Sequence, residues 1–303
     1  MKLLAPKYYL DFSCIADKCK HSCCIGWEID VDEKTIKKYS SLEGKYSENI
    51  RNSIEMEDTP HFKLAENDRC PHLNEKGLCK IILNCDENCL CDICREHPRF
   101  YNFTNVGKEV GLGMSCEAAC NLILSSDNFD EFVVISEDEK PIEITEFDAT
   151  EERNKIYQIL RKDNLTLGEK IQLISNYYDI CIDDEEIRKS LENLEYLDST
   201  HKELFSKLTT SNTNDKTIEQ ELTRALAYFI YRHCSEAGDY EEFFLSLNLA
   251  LICTRLISSL ATKENIREIA RIVSEEIEYS EDNIEAIKNS FILNDETDEN
   301  LFN

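Results

Sequence analysis

The chain has 303 residues, of which 61 are acidic and 34 basic, for a formal charge of −27. Apolar residues at 42% and aromatics at 9% predict a folded globule with a sizeable core and exclude an acidic disordered chain. The charge excludes sequence-independent binding to phosphate backbones and disfavours anionic lipid, so neither nucleic acid nor membrane is expected as a partner.

The opening Met1-Lys2-Leu3-Leu4-Ala5 is cut short by Pro6 and Lys7, well below the apolar length of a signal peptide. The apolar stretch 243–261 carries Asn248 and Arg255 and reads as a buried helix rather than a span. The expected compartment is cytoplasmic. Twelve of the 15 cysteines fall between Cys14 and Cys120. In a cytoplasmic chain such density points to metal or redox chemistry more than to disulfides.

Residues 1–124 carry 16 basic and 20 acidic side chains, the remainder 18 and 41. Six of the eight glycines lie in the first part, and no proline follows Pro141. A chain that loses both breakers is free to run as helices. The expected fold is therefore α+β and mostly α. It has a cysteine-rich domain with short strands over 1–124, a connecting segment over 125–150, and an acidic all-α domain over 151–303.

In chain order, Trp27, Ile29 and Val31 alternate with acidic residues and predict a strand. Asp32 caps a short helix through Tyr39. Phe62 and Leu64 suggest a second strand, and 79–83 a helical turn. Segments 99–104 and 109–114 flank Asn105-Val106-Gly107-Lys108, a hairpin pattern. Ser115 is placed to cap a helix over 116–124. Beyond 150 the pattern predicts five or six helices. Ile187, Leu191, Leu194 and Leu197 form one stripe, and Ile218, Leu222, Ala225, Leu226 and Phe229 a second. Segment 243–260 is apolar all round and central. Ile266, Ile269, Ile272, Val273 and Ile277 mark an outer amphipathic helix. The acidic tail 294–303 is expected to fray.

The cysteines fall in four clusters: Cys14-x4-Cys19-x3-Cys23-Cys24, Cys70-x8-Cys79, Cys85-x3-Cys89-x-Cys91-x2-Cys94, and Cys116-x3-Cys120. Short loops with paired thiols suit zinc or an iron–sulfur cluster, and spacing does not separate the two. Cys116 and Cys120 stand one helical turn apart, and Cys116 lies where a helix dipole favours thiolate. Cys181, Cys234 and Cys253 lack cysteine neighbours and read as core. The Cys-x3-Cys-x2-Cys run of radical S-adenosylmethionine enzymes is absent, since Asp92 and Ile123 stand at the third position.

Tyr8-Tyr9, Phe12-x-Cys14-Ile15, Cys19, Cys23-Cys24-x-Gly26-Trp27, Cys70-Pro71-x-Leu73, Leu78-Cys79, Cys94-Arg95-x2-Pro98-Arg99 and Ser115-Cys116-Glu117-Ala118-Ala119 resemble the flagellin lysine-N-methylases, the FliB family. The same block resembles the broader zinc- or iron-chelating cysteine-cluster proteins. Tyr228-Phe229-x-Tyr231-Arg232-His233 resembles a second motif of the methylase family. The resemblance covers roughly 7–124 and 218–260. It implies methyl transfer from S-adenosylmethionine to flagellin lysines, with a metal centre (a 4Fe–4S cluster or zinc) held by Cys14, Cys19, Cys23, Cys24, Cys70, Cys79, Cys94 and Cys116. Cys85 and Cys89 depart from the family pattern and are not counted as ligands.

Methylating an amine needs alignment and a neutral lysine more than a strong acid or base. A free lysine is mostly charged, so a pocket must desolvate it or carry its proton away. Tyr231 and His233 are candidates for that proton path. Arg232 is a candidate for holding the carboxylate of the methyl donor, and Tyr228 for lining its pocket, since aromatic faces support positive charge. The competing reading makes all four packing and capping groups. No glycine-rich nucleotide loop accompanies them, because Gly111-x-Gly113 falls in the hairpin pattern rather than at a strand-to-helix turn. The alternative to an enzyme is a non-catalytic metal-binding or redox-sensing module whose helical domain binds a protein partner.

Overall fold

The computed structural model describes residues 1–139, 141–142, 144–181, 183–208 and 216–295, with side chains to residue 288. The strands are β1 (Lys2–Pro6), β2 (Ile54–Glu55), β3 (His61–Phe62), β4 (Arg99–Thr104), β5 (Gly107–Leu112) and β6 (Phe132–Glu137). The helices are α1 (Glu33–Ser41), α2 (Ser47–Asn52), α3 (Lys80–Asn84), α4 (Asp92–Glu96), α5 (Glu117–Ser125), α6 (Ala149–Leu160), α7 (Leu167–Tyr178), α8 (Asp184–Glu192), α9 (Ser199–Phe205), α10 (Glu219–Cys234), α11 (Tyr240–Leu260), α12 (Ile266–Glu278) and α13 (Glu281–Asp295). The fold is α+β and mostly α, as composition and breakers predict.

The chain divides into two compact units. The smaller is Ser13–Arg99; the larger joins Met1–Phe12 to the chain from Phe100 onward. This differs from the division expected at 124. Strand β1 enters the sheet of the larger unit, lying parallel to β5 and antiparallel to β6. Strand pairing therefore ties the N-terminus and the segment after 99 to the helices, which composition along the chain does not reveal.

In the smaller unit, Asp32 caps α1 by accepting from Thr35 N at 2.8 Å. Ile29 and Val31 are buried, as the alternation requires. They make no strand, however. Ile29 O accepts from Phe62 N at 3.0 Å and Val31 N donates to Pro60 O at 2.7 Å, a pairing too short to form a ladder. The core of this unit joins Ile29, Val31, Tyr39, Ile50, Phe62 and Ile81 to a set of cysteines.

In the larger unit the sheet order is β4-β5-β1-β6. Asn105 and Val106 turn the chain between β4 and β5. Gly107 has φ +144, and a Cβ there would stand 2.5 Å from Lys2 O, so only glycine lets β1 approach. The cap of α5 is Cys116 rather than Ser115, and its side chain makes no capping bond. Eight helices follow residue 148 among the described residues, more than expected. Helices α10 and α11 are the principal packed pair. By length and composition α11 could cross a membrane, but 67% of its apolar window is buried within the structure. The α8 stripe ends early, leaving Leu197 65% exposed. Helix α12 is not an outer helix. Its apolar residues are buried, and so are Arg271, Ser274, Glu276 and Glu278. The tail expectation for 294–303 lies almost wholly outside the described residues.

Candidate functional site

Two groups of side chains carry chemistry, one in each unit. In the smaller unit, backbone bonds gather the cysteine loops. Cys70 N donates to Cys24 O at 2.8 Å, and Lys80 N to His72 O at 2.7 Å, which holds Cys79 at the start of α3. Tyr39 OH donates to Cys89 O at 2.6 Å. Asp92 N donates to Asp32 Oδ2 at 2.9 Å, which fixes the start of α4 beside α1. Trp27 Nε1 donates to Cys23 O at 2.7 Å.

The result is a thiol-rich core. Cys24, Cys70, Cys79, Cys91 and Cys94 lie within electrostatic reach of one another. Cys23 interacts with Cys24 at its edge, and Cys91 with Cys94 within it. The Cys23 contact, with Ser22 and the charge of Arg69, brings Cys24 down to about 7 against the cost of burial. The Cys94 contact lowers Cys91; Cys94 itself is pushed up by Cys91 and by burial. Burial raises Cys70 to about 12 and raises Cys79. His72 is buried, with Nδ1 2.9 Å from Tyr46 OH and Nε2 2.8 Å from Ser53 Oγ. Burial and the charge of Lys80 hold it neutral, at about 4.

The eight cysteines expected as ligands do not form one group. Cys24, Cys70, Cys79 and Cys94 share the core, together with Cys91, which the expected ligand set left out. Cys14 and Cys23 are exposed, and Cys19 Sγ donates to His21 O at 3.2 Å. Cys116 belongs to the larger unit. Among the described residues no three His, Cys, Asp or Glu side chains are placed to hold a metal ion. The donor chemistry suits a soft metal. All are free thiols.

In the larger unit, three of the four candidate residues of α10 meet at Glu278. His233 Nε2 donates to Glu278 Oε1 at 2.7 Å, and Arg232 Nε pairs with the same oxygen at 3.1 Å. Tyr228 OH donates to Glu278 Oε2 at 2.9 Å and accepts from Met114 N at 3.1 Å. Ser274 Oγ also donates to Glu278. Burial alone would raise the Glu278 carboxyl, but the Arg232 charge and the His233 bond bring it below its ordinary value. Burial lowers His233 despite Glu278, so the group is a neutral imidazole beside a carboxylate–guanidinium pair. The network satisfies itself and leaves Arg232 engaged. Glu278 was missed in the sequence. The available signal was Ser274 and Glu278, four residues apart beside the apolar stripe of α12.

Tyr231 faces away from this network. Its ring lies 5.4 Å from Phe100 and 5.3 Å from Phe132, with the Arg153 guanidinium 5.4 Å from its centroid. Its buried hydroxyl has no hydrogen-bond partner among the described residues. Arg153 forms a buried bidentate pair with Glu109, at 2.6 and 2.9 Å, and donates to Ser235 Oγ at 2.6 Å. Gly111 makes room for this packing, since a Cβ there would meet Phe100 at 2.2 Å and Tyr231 at 2.7 Å.

No protein-family model matches the chain, and no solved structure matches it. It is similar to the lysine-N-methylases of Salmonella choleraesuis (strain SC-B67) and Salmonella typhimurium (strain LT2), at 26% identity over 127 residues. That span is 40% of this chain and 32% of each relative. The same identity and span relate it to the flagellar biosynthetic protein FliU of Salmonella muenchen, of which 75% is covered. The match therefore spans about a third of the length of the curated methylases.

Proposed function

We propose that this chain is a protein-lysine N-methyltransferase that moves methyl groups from S-adenosylmethionine to lysine side chains of flagellin. The observation that carries this reading is the similarity over 127 residues to proteins named lysine-N-methylase and FliU. The iron–sulfur or zinc centre is part of the proposal. Its ligands would come from Cys24, Cys70, Cys79 and Cys94, whose thiols share a buried core. The centre organises the fold, as thiolate sites do when binding energy is folding energy. Either His233 or Tyr231, which lie apart, remains the proposed proton carrier, and Tyr228 and Arg232 the proposed methyl-donor contacts. Engaging a donor carboxylate requires Arg232 to exchange part of its pairing with Glu278.

The test is incubation of the purified chain, isolated without oxygen, with flagellin and isotopically labelled S-adenosylmethionine. The expected result is label on flagellin lysines, located by peptide mass spectrometry. Unlabelled flagellin with a protein whose metal content is preserved would overturn the reading.

One observation favours a second reading, a non-catalytic metal-binding or redox-sensing module that binds a partner. Tyr228, Arg232 and His233 are saturated by one buried carboxylate, as structural groups are. Calorimetry separates the two readings. Binding of S-adenosylmethionine supports the enzyme; its absence, with partner binding that follows oxidation state, supports the module.

A further inference from the structure

We propose that Cys85 and Cys89 form a reversible dithiol–disulfide pair in the smaller unit, oxidised by low-molecular-weight disulfides. Neither thiol is among the ligands proposed above, and the inference does not depend on methyl transfer.

The turn between the two residues places them together. Helix α3 ends at Asn84, and Cys85 N donates to Ile81 O at 2.8 Å as its cap. Asp86 then takes φ +130, a conformation in the left-handed half of the map that reverses the chain. The turn is secured from within. Asp86 Oδ1 accepts from Asn88 N at 2.7 Å and from Asn88 Nδ2 at 2.8 Å, and Cys89 N donates to Asp86 O at 3.1 Å. The two side chains end close enough to interact with each other. Outside contacts hold the same turn, since Tyr39 OH donates to Cys89 O at 2.6 Å and Lys38 Nζ donates to Asn88 O.

Access differs between the two sulfurs. Asp86, Glu87 and Asn88 are exposed and Cys85 is half-buried, whereas Cys89 is 6% exposed. A small oxidant therefore meets Cys85 first, and Cys89 stands behind it as the resolving thiol. The Cys85 thiolate attacks one sulfur of glutathione disulfide, the S–S bond breaks, and one glutathione leaves as thiolate. Cys89 then attacks the Cys85 sulfur and expels the second glutathione. The dithiol loses two electrons, the small disulfide gains them, and the two protein thiol protons end on the two glutathione thiols.

The experiment equilibrates the full chain, purified reduced, in buffers of graded glutathione to glutathione disulfide ratio. Free thiols are then trapped by alkylation and peptides mapped by mass spectrometry. The expected result is a Cys85–Cys89 disulfide that rises with the oxidised fraction and is reversed by dithiothreitol. Cys85→Ser should leave Cys89 a free thiol, and Cys89→Ser should halt at a Cys85–glutathione mixed disulfide. If the buried Cys89→Ser change prevents folding, wild type and Cys85→Ser decide. Three results would each overturn the proposal: both thiols staying reduced while others oxidise, Cys85 staying glutathionylated in wild type, or either residue pairing with a third cysteine.

Discussion

Glu278 on α12 accepts a 2.7 Å hydrogen bond from His233 on α10, with both side chains buried. The same carboxylate pairs with Arg232 at 3.1 Å. Removing one partner of a buried ion pair leaves the other charge uncompensated. Glu278→Ala should lower unfolding free energy by about 3–5 kcal/mol, read from urea denaturation. A loss below 1 kcal/mol would mean that water reaches Arg232.

The network also sets a pH dependence. His233 is depressed below its ordinary value of about 6.5 and Glu278 below about 4.3. In both cases the unfolded chain binds the proton more readily, so stability rises with pH across each window. Protection is complete above about 6.5 and declines as the pH falls, first through His233 and then through Glu278. His233→Asn should remove the upper part of that decline and leave the lower. Denaturation midpoints between neutral and acid pH measure it, and an unchanged profile in the variant would assign the upper part to another group.

Tyr231 presents the opposite case. Its buried hydroxyl finds no partner among the described residues, and an unpaired buried polar group costs about 1–3 kcal/mol. Tyr231→Phe should therefore stabilise the protein by about 1 kcal/mol, seen as a raised urea midpoint. If Tyr231 carries the proton in methyl transfer, the same variant loses rate while gaining stability. A destabilised variant would reveal a partner for the hydroxyl and remove the first half of the argument.

The cysteine sets are separable by metal analysis. Cys70 and Cys94 lie in the thiol core, and Cys116 lies in the other unit. Cys70→Ser and Cys94→Ser should each reduce bound metal to a small fraction of wild type, and Cys116→Ser should retain it. Elemental analysis with acid-labile sulfide reads the outcome and identifies iron–sulfur or zinc. Loss of metal in the Cys116 variant would overturn the ligand assignment.

Much of the fold was legible because it follows from local rules. The Asp32 cap, the turn at Asn105, and the buried stripe of α10 each depend on a few neighbouring residues. The site was legible in part. The residues Tyr228, Arg232 and His233 stood out as a group, and the structure does bring them together. Their meeting point did not, because Glu278 lies 45 residues beyond His233 and its one local sign, Ser274 a turn before it, does not single it out among the acidic residues of α12. The thiols followed the same pattern. Their density was evident, but Cys116, grouped with them by the family resemblance and its place at a helix start, lies in the other unit.

By itself the sequence determined the fold class, the helical second half and the concentration of thiol chemistry before residue 124, because composition and periodicity act over a few residues. Only tertiary structure decided which residues share a unit, which thiols share a core, and which carboxylate neutralises Arg232. Those are long-range pairings, selected by strand order and by the cost of leaving a buried charge or polar atom without a partner.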